Sequence, residues 1–177
     1  MSMNLFEAIK ERYSYRGDYQ NITVSREDLT KILQAGLDAP SGGNAQTTSL
    51  IGIDDPSILK SIASIITKKG LETLSAGIIV LAKAKPVFRD ISFAVQDYSA
   101  AIENMLLAIS ALGYVSCWVE GEVTYSEERQ KAIRELLKIP DEYKVVCYLP
   151  IGKPVNPGKR ADKKPFGERA FFNYFGG

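Results

Sequence analysis

Arg12-Tyr13-Ser14-Tyr15-Arg16 sets two guanidinium groups around a hydroxyl, where an N-terminal amphipathic segment runs into a turn at Gly17-Asp18. A planar cation with fixed donors suits a phosphate or a carboxylate, and two of them with a serine between can cup a phosphomonoester. The plainer alternative is a patch of solvated surface charge. A second stretch, Pro40-Ser41-Gly42-Gly43-Asn44-Ala45-Gln46, forms a polar loop. Its glycines let backbone approach a ligand closely, and its Ser, Asn and Gln offer both donors and acceptors. The same residue types also make ordinary turns. The loop is neither a Gly-Lys-Ser/Thr phosphate loop nor a Gly-x-Gly-x-x-Gly dinucleotide fingerprint.

The chemistry open to the chain is narrowed by an absence, because its 177 residues include no histidine. That removes Ser-His-Asp and Cys-His catalysis, His-ligated zinc and the usual proton shuttle near neutral pH. The two cysteines, Cys117 and Cys147, cannot build a zinc site unaided, so no metal is expected. Any enzyme chemistry would then rest on a bound organic cofactor. Each cysteine lies in an apolar run, which points to a reduced, cytoplasmic chain instead of a disulfide scaffold. Lys+Arg 22 against Asp+Glu 21 leaves a net charge of +1, no field to recruit nucleic acid or an anionic membrane. Basic residues do gather over 153–164, but no aromatic side chain stands among them before Phe166 to stack on bases. No apolar run follows a basic N-terminus, so no signal peptide is expected. The longest apolar stretch, residues 76–82, is too short to span a bilayer.

The elements that must position these residues are legible from periodicity. Residues 4–13 read as a short helix with Leu5, Ile9 and Phe6 on one face. Ser25, with Asp28 three residues on, opens a second helix carrying the stripe Leu29, Ile32, Leu33 and Leu37, which Pro40 ends. A strand follows at 49–54, then a helix from Pro56 to about Lys68, broken by Lys68-Lys69-Gly70. Residues 77–82 are Ile/Val-rich and read as a buried strand ended by Lys85-Pro86. Residues 97–112 form the most apolar helix, interrupted only by Ser99, Glu103, Asn104 and Ser110, with Gly113 as its C-cap. Burial on all its sides is expected, and in a chain this small that calls for a second subunit. A strand at 114–119 leads into Glu120-Gly121, Ser126 caps a helix to about Lys138, and 145–151 is the last strand. From about residue 153 the chain is basic, Pro-rich and finally aromatic, with Phe166, Phe171, Phe172, Tyr174 and Phe175 too apolar for a disordered tag. One domain over 1–177 is expected, α+β or α/β, with about four strands and helices on its faces.

Four of these pieces together resemble the FMN-dependent nitroreductase family. Residues 12–16 look like its Arg-x-Ser-x-Arg motif, and 39–46 resemble its Ala-Pro-Ser-x-x-Asn-x-Gln loop. Residues 97–108 are similar to its central helix, and Ile139-Pro140 with Leu149-Pro150-Ile151-Gly152-Lys153-Pro154 match its late landmarks. The resemblance implies an α+β nitroreductase fold, a central mixed sheet of four to five strands flanked by helices. It implies a homodimer through the central apolar helix, with tightly bound FMN in clefts shared by both chains. Arg12 and Ser14 would hold the phosphate with Tyr13 beside them. Arg16 would sit near the pyrimidine edge, where a cation stabilises the reduced flavin. Pro40, Ser41, Gly42, Asn44 and Gln46 would reach the flavin from the partner. Glu120-Gly121 would lie by flavin N5, unless Glu120 is an ordinary strand-end carboxylate. Lys159 and Arg160, or Lys163, would supply the second phosphate anchor. Thr47-Thr48 stands where many members have Pro-Trp, a departure expected at the pocket rim. The implied activity is ping-pong reduction of nitroaromatics, quinones or similar acceptors by NAD(P)H. The alternatives are reductive dehalogenation or another FMN reaction, or a flavin-binding regulatory protein without turnover.

Overall fold

Polar caps set where the helices begin. In the computed structural model, which describes residues 3–177, the elements run in a fixed order. They are α1 (Leu5–Glu11), α2 (Arg26–Leu37), β1 (Thr48–Ile53), α3 (Pro56–Ile66), β2 (Ala76–Ala82), β3 (Pro86–Phe88) and β4 (Ile91–Ser92). After these come α4 (Ala94–Ala111), α5 (Gly121–Thr124), α6 (Glu127–Leu137) and β5 (Lys144–Ile151). Asn4 and Glu7 form a reciprocal capping box on α1 at 2.9 and 3.0 Å. The Ser25 hydroxyl accepts the Asp28 amide at 3.0 Å to start α2, and Ser126 does the same for α6 with Arg129. Asp55 caps α3, whose Pro56 fills a first-turn position that needs no amide donor.

The sheet is ordered β1-β2-β5 with both pairings antiparallel. All seven residues of β2 are buried, so both its faces are covered. Alternation splits them between two cores. Ile78 and Val80 meet Leu29, Ile32, Met105 and Ile109 of α2 and α4. Ile79 and Leu81 meet Ile62, Ile66 and Ile133 of α3 and α6, with Tyr148 of β5. Each such side chain contributes about 1.5–3 kcal/mol by leaving water. Gly36 lets α2 lie against α4, because a Cβ there would stand 2.8 Å from Met105 Cγ.

The strand expected at 114–119 is broken. It touches β5 through antiparallel bridges Val115↔Gly152 and Val119↔Tyr148, and it receives Ser14 through a parallel bridge at Ser116. These isolated pairings flank the three antiparallel strands with two further short segments, the second joined by a single parallel bridge.

Four features add to the sequence expectation. The α1 stripe points outward, with Leu5, Phe6 and Ile9 at 61%, 81% and 46% exposure. The central helix α4 starts earlier, and within one chain its burial is one-sided: Ala101, Ile102, Met105, Leu106 and Ile109 are buried, while Val95 and Glu103 are exposed. A small hairpin, β3–β4, follows β2 where only a strand end is expected. The terminal aromatics stack on one another, Phe166 on Phe172 and Phe171 on Phe175, yet Phe172, Tyr174 and Phe175 stay exposed. Among the described residues no helix is long and apolar enough to cross a membrane.

Candidate functional site

Where α1 stops, the first motif begins. Arg12 caps the helix with its N–H on Ala8 O at 3.0 Å, then turns extended at φ −60°, ψ 129°. The following residues run alongside Ser116, with Tyr15 N–H donating to Ser116 O at 2.8 Å. An extended backbone alternates its side chains, so Arg12, Ser14 and Arg16 share one side and Tyr13 and Tyr15 the other. Tyr15 is buried, donates its hydroxyl to Asp18 O at 2.6 Å and meets the Tyr19 ring edge-on at 5.1 Å. Burial first, then Cys117, pushes the Tyr19 hydroxyl far above the usual tyrosine range, so this backing layer stays neutral. Ser14 and Arg16 are exposed on the other side.

Arg12 is only lightly engaged. Its Nε lies 3.3 Å from Glu103 Oε1, within ion-pair range, yet without hydrogen-bond geometry, so that buried N–H has no partner. Such a half-exposed pair contributes about 0–1 kcal/mol and leaves the guanidinium open to a better acceptor.

The basic C-terminal segment arrives at the same place. Gln20 N–H donates to Lys153 O at 2.8 Å, Val155 N–H to Asp18 O at 3.0 Å, and Gly158 N–H to the Tyr13 hydroxyl at 3.2 Å. A Cβ on Gly158 would collide with the Tyr13 ring, so only glycine lets the chain pass this close. Lys159 and Arg160 therefore follow directly on the Tyr13 contact, exposed and, among the described residues, in no ion pair. Lys163 is exposed farther along. Lys153 is committed elsewhere, to Gly113 O and the face of Tyr114.

A cation that reads in the sequence as part of a helix breaker also lies here. Lys68 Nζ is 3.9 Å from Cys117 Sγ, and the Lys68-Lys69-Gly70 loop packs Gly70 onto Gly17 O beside Arg16. Tyr19 N–H adds a bond to Thr73 Oγ1 at 2.8 Å. The two lysines just before a left-handed glycine are the signal that marks it.

The Pro40-to-Gln46 loop is built differently. A single 3-10 turn over Gly42–Asn44 carries left-handed backbone at Gly43 (φ 55°) and Asn44 (53°), and Gln46 beyond it is left-handed too (50°). Asp97, at the start of α4 and 3% exposed, accepts from Gly42 N–H at 2.8 Å and from Thr47 Oγ1 at 2.6 Å. The Ser41 hydroxyl accepts from Gln46 N–H at 3.0 Å. Thr47, expected at the pocket rim, lines the hollow under this loop but turns its hydroxyl inward. It is 4% exposed, because its hydroxyl serves the buried carboxylate. Asp97 is a site residue that sequence reasoning misses, since an aspartate at the head of a helix reads as an ordinary first-turn charge.

Glu120 precedes α5 and accepts from Trp118 Nε1 at 2.9 Å, and Gly121 is exposed with open space where a side chain would stand. Glu120 borders a hollow of ≈ 190 Å³ lined by Ala82, Ala94, Val95, Tyr98 and Val146 among others. Burial, then Glu120, raises the Tyr98 hydroxyl. A separate hollow of ≈ 220 Å³ lies under Pro40, Ser41, Gln46 and Asp97. Larger hollows of ≈ 630 and ≈ 590 Å³ border α6 and α3 and hold none of the motif residues. Within one chain the motif residues thus form three groups: Arg12 to Arg16 with residues 158–160, the Pro40 loop, and Glu120-Gly121. Both cysteines are buried and free. Among the described residues no three His, Cys, Asp or Glu side chains gather as a metal site.

Known proteins resemble this chain in sequence and in fold. The chain is 40% identical over 151 residues to an Archaeoglobus fulgidus protein whose name assigns it, by inference, as NADH dehydrogenase/NAD(P)H nitroreductase, covering 84% of this chain and 86% of that one. A Methanothermobacter thermautotrophicus protein named in the same way is 31% identical over 159 residues, 89% of this chain and 82% of its own. Among solved structures, an FMN-dependent nitroreductase of Clostridium difficile R20291 superposes with a TM-score of 0.78 at 29% identity, over 95% of this chain and 98% of that chain. A BluB-like flavoprotein of Clostridium difficile 630 shares the fold, with a TM-score of 0.81 at 24% identity over 96% of this chain and 99% of that chain. The model of the nitroreductase family matches residues 9–85 and 73–153, and the chain belongs to that family.

Proposed function

We propose that the chain is an FMN-dependent NAD(P)H oxidoreductase that works as a homodimer in the reduced cytoplasm, passing electrons to nitroaromatics, quinones or similar small acceptors. The observation that carries the reading is the gathering of under-used anion donors around the Tyr13–Gly158 contact. Arg12 has a buried N–H without a partner, Ser14 presents its hydroxyl at the surface, and the exposed Lys159 and Arg160 directly follow the Gly158 contact to Tyr13, the residue between Arg12 and Ser14 in the chain. That donor set fits a phosphomonoester, and the glycine backbone at 42–43 fits a flat ring brought close.

Arg12 and Ser14 would hold the phosphate, with Tyr13 fixing Lys159 or Arg160 over it. Arg16 would place positive charge at the pyrimidine edge. Pro40, Ser41, Gly42, Asn44 and Gln46 would order the ring from the partner's loop, and Glu120-Gly121 would border it on the other side. When bound, FMN supplies the hydride chemistry, accepting two electrons from NAD(P)H and yielding them to the acceptor in separate half-reactions. The chain's own work is to bind, to orient and to balance charge, which requires no histidine.

The dimer is supported by apolar side chains that one chain leaves uncovered, on α1 (Leu5, Phe6, Ile9), on α4 (Val95) and in the aromatic tail. The grouping of the motif residues into three separate places in one chain agrees with clefts completed by a second copy.

The test is direct. Purified protein supplied with FMN is expected to retain flavin absorbance, to elute at the mass of a dimer, and to bleach anaerobically with NADH or NADPH before a quinone or nitrofuran restores the colour. Protein that takes up no flavin would end the reading. Flavin that neither nucleotide reduces would end the oxidoreductase part alone.

A further inference from the structure

Both carboxylate oxygens of Asp97 are spent on one loop. Oδ1 takes the Gly42 amide and Oδ2 the Thr47 hydroxyl, and among the described residues no Lys or Arg pairs with the carboxylate. A buried carboxylate is tolerated when its oxygens are hydrogen-bonded, so the two donors and the acid depend on one another. They also bracket the turn, tying both ends of residues 42–47 to α4, a long helix.

Between those ties the backbone is strained. Asn44 and Gln46 hold left-handed φ without being glycine, a conformation that persists only where its surroundings impose it. The surroundings are specific. A Cβ on Gly42 would stand 2.6 Å from the Phe93 ring, and one on Gly43 would strike Val87 of the β3–β4 hairpin. The loop is held by acid and hydroxyl below and by the hairpin above.

We propose that Asp97 and Thr47 are positioning residues, a buried latch that holds the residue 42–46 turn in its ligand-binding shape before any ligand arrives. Both side chains are buried and spent on the loop, and they act through the backbone they fix. The ligand in this statement rests on the flavin reading above, whereas the latch itself does not.

Thr47→Val removes the hydroxyl at nearly constant shape, and Thr47→Ser keeps it. In the ligand-free protein, amide exchange at Gly42 is expected to speed up about ten-fold or more in T47V and to stay within about three-fold of the parent in T47S. Titration with FMN is expected to give a dissociation constant about ten-fold higher for T47V, restored by T47S. Exchange unchanged in T47V overturns the latch. Faster exchange with unaltered FMN affinity overturns the positioning role. If the parent protein takes up no FMN, the flavin reading falls while exchange still decides the latch. Should T47V fail to fold, Asp97→Asn carries the same two measurements.

Discussion

The two motif regions are held in opposite ways. The Arg12-to-Arg16 segment is fixed mainly by backbone, through Tyr15 on Ser116 and Gln20 on Lys153, and by the uncharged Tyr13 hydroxyl on Gly158, so its charged side chains are at most lightly engaged. The Pro40 loop is fixed by side chains, with Asp97, Thr47 and Ser41 supplying the bonds that secondary structure would otherwise provide. Backbone support suits a site that must keep its cations available. Side-chain support suits a site whose working surface is the backbone itself. The difference also says where each should be fragile: the first in ligand affinity, the second in local order.

Four substitutions can break or sharpen that contrast. Asp97→Ala orphans two buried donors and is expected to lower stability by about 3 kcal/mol in urea unfolding. A loss below about 1 kcal/mol would mean the loop does not depend on its acid. Arg12→Ala should leave stability nearly unchanged while weakening FMN binding by about 2 kcal/mol, read by flavin fluorescence titration. Unchanged affinity would remove Arg12 from the phosphate site. Gly158→Ala pushes a methyl into the Tyr13 ring and should lower stability by about 1 kcal/mol. It should also weaken FMN binding by displacing Lys159 and Arg160, and an unaltered FMN titration would separate those cations from the motif. Glu103→Gln removes the half-exposed partner of Arg12 and is expected to change stability by less than about 0.5 kcal/mol. FMN affinity in that variant should hold or rise, and a marked fall would show that Glu103 orients Arg12 productively.

Much of the fold and part of the site are legible in the residue order alone. Ser25 and Ser126 mark their helices because a short polar side chain ahead of an apolar stripe has one local use, and Pro56 marks its own by suiting a first turn. The motif at 12–16 and the Pro40 loop are readable as candidate ligand surfaces from residue type. What stays hidden depends on distance in the chain or on unusual turns. Asp97 bonds a residue 55 positions away, and nothing local distinguishes it from a solvated helix charge. Thr47 is expected at the rim only from its place in the family's pattern, and nothing in its neighbours in the chain says that its hydroxyl turns inward to the acid. The β3–β4 hairpin turns at Arg89 and Asp90, both left-handed at φ 47° and 64°, where Asn-Gly would have advertised the turn. The α1 stripe is amphipathic as its spacing requires, but periodicity cannot say whether the partner of an apolar face belongs to the same chain.

The hydrogen bond between Gly158 and Tyr13 joins residues 145 apart. On the ribosome the first of these residues emerges well before the second, at a synthesis rate of about 5–20 residues per second. The two hydrophobic cores draw on β2, α3 and α4 and can begin to assemble in that interval, whereas the cation cluster exists only after Gly158 and the basic residues that follow it have emerged. Cofactor capture in the proposed function therefore waits for that segment, and a nascent chain stopped short of Gly158 would own a core but no finished cup for a phosphate.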